Sequence, residues 1–125
     1  PIAIGPETSV QDNSILVTGP GGGAITVGRG VTIGHNVRMG ACSVGDDCVI
    51  GMGCEMADGV VVEDGAIVGA RAYVEPGTVV KAGHIWAGRP AREFRPVNDQ
   101  ERSLFARGRD VYVAYAAKYL AQAAA

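Results

Sequence analysis

Apolar residues recur every six positions along most of this chain. From Val27 to Trp86 each sixth residue is apolar, apart from one five-residue step between Met39 and Val44, and the same spacing recurs upstream at Ile4, Val10 and Leu16. Glycine is common one place after these positions, and Gly, Asn or Asp is common three places after them. Those three residue types tolerate the left-handed backbone region that a sharp corner requires. Each six-residue unit therefore predicts a short strand followed by a corner.

Three such units would complete one triangular coil of about 18 residues, and successive coils would stack about 4.8 Å apart. Each strand would then pair with the strand one coil away, which makes the sheets parallel and buries their inner faces. We predict that residues 1–91 form an all-β parallel β-helix. The six-residue period leaves its handedness open, because crossover connections between parallel strands are generally right-handed.

One segment inside the β-helix departs from the repeat. Residues 18–24 read Thr-Gly-Pro-Gly-Gly-Gly-Ala and have no register with the apolar positions. Glycine and proline clusters of this kind mark loops. We expect a loop that leaves one corner of the β-helix and returns at Ile25.

The repeat stops after Trp86, and the remaining chain predicts a linker at residues 92–97 and an α-helix at residues 98–125. Asn98 is the expected N-cap, because Glu101 follows it three residues later as in a capping box. An apolar stripe on this helix is expected to pack on the β-helix or on a neighbouring subunit. The stripe consists of Leu104, Val111, Tyr115 and Tyr119.

Composition excludes several classes of protein. The chain is 47% hydrophobic and 19% charged, with a net charge of −2, so it can bury a core but lacks the basic surface of a nucleic-acid-binding protein. No segment has the roughly 20 apolar residues of a membrane span, and no signal peptide opens the chain. We expect a cytoplasmic protein, or one of an organelle matrix if a targeting segment has been removed.

The three cysteines follow the repeat and are expected to be small core residues with free thiols. Cys48 and Cys54 are six residues apart, which places them on different faces of the β-helix. A metal cluster of cysteines is therefore not expected.

Several segments are distinctive beyond the repeat itself. They are PIAIG at 1–5, SVQDNS at 9–14, VTIGHN at 31–36, CSVGD at 42–46, IGMG at 50–53 and WAGRPAR at 86–92. In combination with the five-residue step, they resemble the γ-class carbonic anhydrases and their paralogues along essentially the whole chain. The resemblance implies the left-handed β-helix of the hexapeptide-repeat superfamily, assembled as a trimer.

The same resemblance implies a zinc site that is incomplete here. The family holds zinc with three histidines, two from one subunit and one from its neighbour, and the matching positions in this chain are Val17, Gly40 and His35. Valine and glycine offer no donor atom, and catalytic zinc typically needs three protein ligands. We therefore expect no cofactor and no zinc-dependent CO2 hydration in a homotrimer. Zinc would bind only if a paralogous subunit supplied the missing histidines.

Three functions remain open at this point, and whether the chain is an enzyme is undecided. The first is a non-catalytic scaffold or assembly subunit of a homotrimer or heterotrimer. The second is an enzyme of changed chemistry, acting on an acyl-CoA or small organic acid in an apolar cleft between subunits lined by Val17 and Gly40. His35 would be its general base, oriented by Gln11 or Asp12. The third is a hexapeptide acyltransferase.

Overall fold

The computed structural model describes residues 1–124, and their backbone forms short strands followed by one long helix. The strands are β1 (Ile2–Ile4), β2 (Ser9–Val10), β3 (Ile15–Leu16), β4 (Ile25–Val27), β5 (Thr32–Ile33), β6 (Arg38–Met39), β7 (Cys42–Val44), β8 (Val49–Ile50), β9 (Glu55–Met56), β10 (Val60–Val62), β11 (Ile67–Val68), β12 (Tyr73–Val74), β13 (Val79–Val80), β14 (His84–Gly88) and β15 (Ala91–Pro96). The helix α1 spans Asp99–Ala124.

The strands form three sheets that make the three sides of a left-handed β-helix. Sheet A has the order β1-β4-β7-β10-β13, sheet B the order β15-β14-β11-β8-β5-β2, and sheet C the order β12-β9-β6-β3. Strands of consecutive coils pair in parallel, as the repeat predicts, and β15 pairs antiparallel with β14 at the end of sheet B. The predicted fold class is confirmed.

The register between coils locates the two irregularities found in the sequence. Ile2 pairs with Ile25, and this coil is longer than the others because residues 18–24 leave it between these two strands. Thr26 pairs with Ser43, and this coil is one position shorter than a regular coil because it contains the five-residue step. Beyond that step the coils are regular, as in the pairing of Val61 with Val79.

The corners use the residue types expected of them. Asn13, Asn36 and Gly53 have φ values of 63°, 57° and 72°, in the left-handed region. Glu7 and Arg71 also adopt positive φ, at 59° and 61°, although neither is a residue type that the corner pattern favours. The stacked geometry of neighbouring corners therefore overrides local preference at these two positions.

The core is a column of aliphatic side chains inside the β-helix. The repeated apolar positions from Val27 to Val80 are buried there. Ile4 and Val10 belong to the same series but are 46% and 42% exposed, because they lie on the end coil and are covered from one side only.

The segment predicted as a linker is mostly a strand, so that prediction is wrong. Residues 91–96 form β15, and Val97 is then buried beside Ile67 and Ile85 of sheet B. The polar composition of residues 92–97 concealed this, because β15 is an edge strand whose side chains after Ala91 are exposed.

The capping box at the start of the helix is present. The Glu101 N–H donates to Asn98 Oδ1 at 2.8 Å, and the Asn98 N–H donates to Glu101 Oε1 at 3.1 Å. Both bonds satisfy backbone donors that the first helical turn would otherwise leave unpaired.

The helix packs on sheet B through Phe105, and its Arg109 forms an ion pair at 2.8 Å with Asp47 in the corner before β8. The predicted stripe does not make this contact. Its members Leu104, Val111, Tyr115 and Tyr119 are 59%, 49%, 55% and 71% exposed. Packing of that stripe against a neighbouring subunit stays a prediction. Within the described residues, no helix has both the length and the apolar character to cross a membrane.

Candidate functional site

His35 lies at the corner between sheet B and sheet C, two residues beyond the end of β5. Its side chain is exposed, and its carbonyl accepts the Gly53 N–H of the next coil at 2.8 Å. The following residue, Asn36, supplies the positive φ that turns the chain. The corner therefore fixes the backbone of His35 while its imidazole faces outward.

The imidazole itself is held by the preceding coil. The backbone N–H of Asp12 donates to His35 Nδ1 at 3.2 Å. A neutral imidazole has one nitrogen that donates and one that accepts, so the accepting Nδ1 leaves the proton on Nε2. Metal-ligating histidines usually show the reverse arrangement, in which the second ring nitrogen donates to a carboxylate or carbonyl.

Gln11 and Asp12 were predicted to orient His35, and Asp12 does contact it, but through its backbone. Among the described residues, neither the Gln11 amide nor the Asp12 carboxylate makes a hydrogen bond to the ring. The Gln11 backbone instead joins two coils, because its N–H donates to the Ile33 carbonyl of the next coil at 3.0 Å.

Val17 and Gly40 lie side by side at a different corner, where sheet C turns toward sheet A. The Val17 N–H donates to the Met39 carbonyl at 2.9 Å, and Val17 and Gly40 line a hollow of about 540 Å³. His35 lies outside this hollow, because it precedes strand β6 of sheet C whereas Gly40 follows that strand. One chain therefore brings Val17 and Gly40 together but does not bring His35 to them.

The structure explains why position 40 is a glycine, which the neighbouring sequence did not reveal. The space that a Cβ would occupy at Gly40 is filled by Asp58 Oδ1 of the next coil. Asp58 Oδ1 accepts the Ala41 N–H at 2.9 Å. The same device recurs at Gly28 with Asp46 and at Gly45 with Asp64. An imidazole at position 40 would therefore displace a carboxylate that ties two coils together.

The hollow on sheet C also contains charged and aromatic side chains that the sequence did not assign to a site. Arg38, Glu55 and Tyr73 occupy one register row of the outer face, since β6 pairs with β9 and β9 with β12. Arg89 pairs with Glu55 at 3.3 Å and lies over the Tyr73 ring at 5.8 Å. Along the sequence these three residues are one coil length apart, and that spacing was the evidence from which their proximity could have been predicted.

A second hollow of about 600 Å³ lies between α1 and sheet B. Its charged side chains include Asp47 and Arg109, which neutralise each other in the ion pair described above. Phe105 covers its apolar side against Ile67. We interpret this hollow as the seam along which the helix packs, and it includes no residue of the predicted site.

The cysteines are buried core residues, as predicted. The Cys48 thiol contacts the Glu63 carbonyl at 3.2 Å, and the Cys54 thiol contacts the Gly69 carbonyl at 2.8 Å. Burial raises the pKa of Cys48 to about 11, which keeps it protonated and unreactive at neutral pH. Within the part of the chain that the structure describes, no cluster of three His, Cys, Asp or Glu side chains could hold a metal ion.

Comparisons with known proteins point to one superfamily. The family model for the bacterial transferase hexapeptide (six repeats) matches residues 41–82. A hexapeptide transferase family protein from Anaplasma phagocytophilum is 34% identical, with a TM-score of 0.86 over 93% of this chain and 68% of that one. A Bacillus cereus protein proposed to be an acetyltransferase is 32% identical, with a TM-score of 0.91 over 95% of this chain and 69% of that one.

A more distant structure shares the fold. It is a hexapeptide-repeat acetyltransferase from Vibrio cholerae in complex with acetyl-coenzyme A, 24% identical, with a TM-score of 0.69 over 78% of this chain and 61% of that one. Curated protein sequences contain no match to this chain. The two relatives above 30% identity are described as a hexapeptide transferase family protein and as an acetyltransferase, so the comparisons favour the acyltransfer hypothesis over the carbonic anhydrase resemblance.

Proposed function

Because the chain belongs to the hexapeptide-repeat transferase family, we propose that it transfers an acyl group from a coenzyme A thioester to a small acceptor. The reaction would take place in a cleft between two subunits of a trimer. The Bacillus relative, proposed to be an acetyltransferase, supports acyl transfer, and the Anaplasma relative, a hexapeptide transferase family protein, supports group transfer. The Vibrio acetyltransferase, whose structure holds acetyl-coenzyme A, suggests the donor.

His35 is the residue that we assign to the reacting atoms. The observation that carries this assignment is its geometry: an exposed imidazole whose backbone and ring are both fixed by neighbouring coils. A catalytic side chain is effective when it is held in one orientation before the substrate arrives. A freely rotating surface histidine would lack this property.

The second wall of the cleft would be the hollow that Val17 and Gly40 line on the neighbouring subunit. Val17 gives this hollow an aliphatic surface that would face the acyl group, and Tyr73 and Arg38 would provide polar contacts for an acceptor. Within one chain, His35 and this hollow lie at opposite ends of the sheet C strands. The site would therefore be complete only in the oligomer.

The experiment is a transfer assay on the purified oligomer. Acetyl-coenzyme A is incubated with a panel of amines and hydroxyl compounds, and released thiol is followed with a thiol reagent, while calorimetry measures coenzyme A binding. We expect His35→Ala to lower kcat/KM by about 10²–10⁴, the usual contribution of a proton-handling or hydrogen-bonding catalytic group.

The matched control is His84→Ala, which removes a histidine on β14 that contacts the Ala82 carbonyl and Glu93. This variant should retain activity. Absence of both coenzyme A binding and thiol release in the wild-type oligomer would refute the proposed function.

A non-catalytic scaffold or assembly subunit is the second candidate, and the region around Gly40 favours it. Val17 is aliphatic, and Asp58 fills the space beside Gly40, so positions 17 and 40 supply neither a nucleophile nor a metal ligand. In this case the trimer would form without acyl transfer. Elemental analysis of the oligomer, alone and with any co-purifying paralogue, tests the version in which His35 completes a shared zinc site.

A further inference from the structure

We propose that the backbone N–H of Asp12 holds His35 as its Nε2–H tautomer, so that this histidine acts as a hydrogen-bond donor and not as the general base. The chemical consequence rests on the proposed function, whereas the tautomer is a property of the folded protein alone. The inference corrects the role expected from the sequence, in which His35 removes a proton.

The turn that presents this N–H is well defined. Gln11 to Ser14 form a four-residue corner in which the Ser14 N–H donates to the Gln11 carbonyl at 3.4 Å, and Asn13 has a φ of 63°. A positive φ at the third residue is characteristic of a type II turn. Asp12 is the second residue of the turn, and its N–H points to His35 Nδ1 at 3.2 Å.

Both corners are also tied to each other and to the next coil. The Asp12 carbonyl accepts the Asn36 N–H at 3.0 Å, one residue beyond the histidine, and the His35 carbonyl accepts the Gly53 N–H. The first bond fixes the distance between the Asp12 corner and the His35 corner, and the second ties the His35 corner to the following coil. The donor of the contact to Nδ1 is therefore a backbone group that the coil stack holds in place.

A neutral ring that accepts at Nδ1 donates at Nε2. In the proposed reaction, the acceptor nitrogen or oxygen bonds to the thioester carbon, and the carbonyl oxygen becomes negative. The Nε2–H would stabilise this oxygen, as donors in oxyanion holes do. The C–S bond then breaks, the proton lost by the acceptor ends on the departing coenzyme A thiol, and His35 neither gains nor loses a proton.

The chain itself suggests the substitution that tests the tautomer. Pro6 and Pro76 occupy the same second position in two other corners, where Glu7 and Gly77 supply the positive φ at 59° and 73°. Proline is favoured at this position of a type II turn and has no N–H. Asp12→Pro should therefore preserve the corner while removing the donor, and Asp12→Ala is the matched control that keeps the N–H.

The tautomer can be read from long-range ¹H–¹⁵N spectra of the histidine ring at a pH where it is neutral. We expect Nε2–H in the wild-type protein and in Asp12→Ala, and a measurable Nδ1–H population in Asp12→Pro. A wild-type ring protonated at Nδ1 would overturn the proposal, as would an Asp12→Pro spectrum identical to the wild type. The wild-type spectrum decides the question even if the proline variant does not fold.

The donor role is tested separately by kinetics. Glutamine can donate a hydrogen bond but cannot act as a base, so His35→Gln should retain at least tenfold more activity than His35→Ala. Equal loss in both variants would overturn the donor role. If the wild-type oligomer transfers no acyl group to any acceptor, the proposed function fails, while the ring spectrum still decides the tautomer.

Discussion

Replacing Gly40 by alanine tests whether this glycine is required by the coil stack. The added Cβ would overlap Asp58 Oδ1, and it would lie 3.2 Å from the Asp58 backbone nitrogen. Gly40 is not among the residues with positive φ, so its backbone accepts an L-residue without strain. The expected cost is therefore steric and falls on the Asp58 carboxylate.

The carboxylate can relieve the overlap only by moving, and it then loses its 2.9 Å bond to the Ala41 N–H. A hydrogen bond to a charged group contributes about 1.5–3 kcal/mol, and the Ala41 N–H would be left without its partner. Since Asp58 is exposed and water can replace part of the bond, we expect Gly40→Ala to destabilise the fold by about 1–2 kcal/mol.

A double-mutant cycle in urea isolates this effect. Asp58→Ala should cost a similar amount by itself, and Gly40→Ala should then cost little in the Asp58→Ala background because the obstructing oxygen is absent. We expect a coupling energy of about 1 kcal/mol, within the range measured for residues in contact. Additive effects of the two substitutions would refute the interpretation that Asp58 requires a glycine at position 40. Gly40 would then be explained only as the position of a lost zinc ligand.

Three further predictions concern the core, the thiols and the helix start. Ile50→Ala should lower the unfolding free energy in urea by about 2–5 kcal/mol, because this fully buried side chain leaves a cavity between coils. At pH 8, iodoacetamide should label none of the three cysteines of the native protein, because burial raises the pKa of Cys42 and of Cys48 to about 11; mass spectrometry after unfolding should find all three labelled. The hydrogen bond from Arg95 lowers the pKa of Glu101 from 4.5 to about 2. Its stabilising effect is complete above pH 4.5 and is lost as pH falls toward 2, so circular dichroism should show a helix transition in that window that Glu101→Gln lacks.

The fold was predictable because a hexapeptide repeat leaves few alternatives. An apolar residue every six positions with a corner residue three places later is incompatible with a helix and predicts both the strand positions and the coil-to-coil pairing. Even the shortened register between Thr26 and Ser43 follows from the single short step before Val44. Every repeat requires the same residue types at the same positions, so a single exception such as Glu7 does not obscure the pattern.

The elements outside the repeat were harder to predict. β15 has no apolar alternation after Ala91, and it forms because β14 offers an unpaired edge next to it in the chain. The helix face that packs on sheet B was not identified from the sequence, for a related reason. Leu104 and Tyr115 belong to the most regular apolar stripe, but the turn after Val97 aims Phe105 at sheet B. Such choices depend on the angle at which the chain leaves the β-helix, which single-residue patterns do not encode.

The site illustrates how one residue can satisfy two explanations that the sequence alone does not separate. Comparison with a zinc-binding family explains Gly40 as a missing ligand. The position of Asp58 in the next coil explains it as a packing requirement. Asp58 lies one coil further along the chain, so the pair is visible only once the register is known. His35 shows the converse case. Its position on a corner was predictable, but its tautomer depends on a backbone N–H of the preceding coil, which every residue type except proline provides at position 12. In the role that we propose, the chemistry of this histidine is set by coil stacking, which a search for side-chain motifs does not detect.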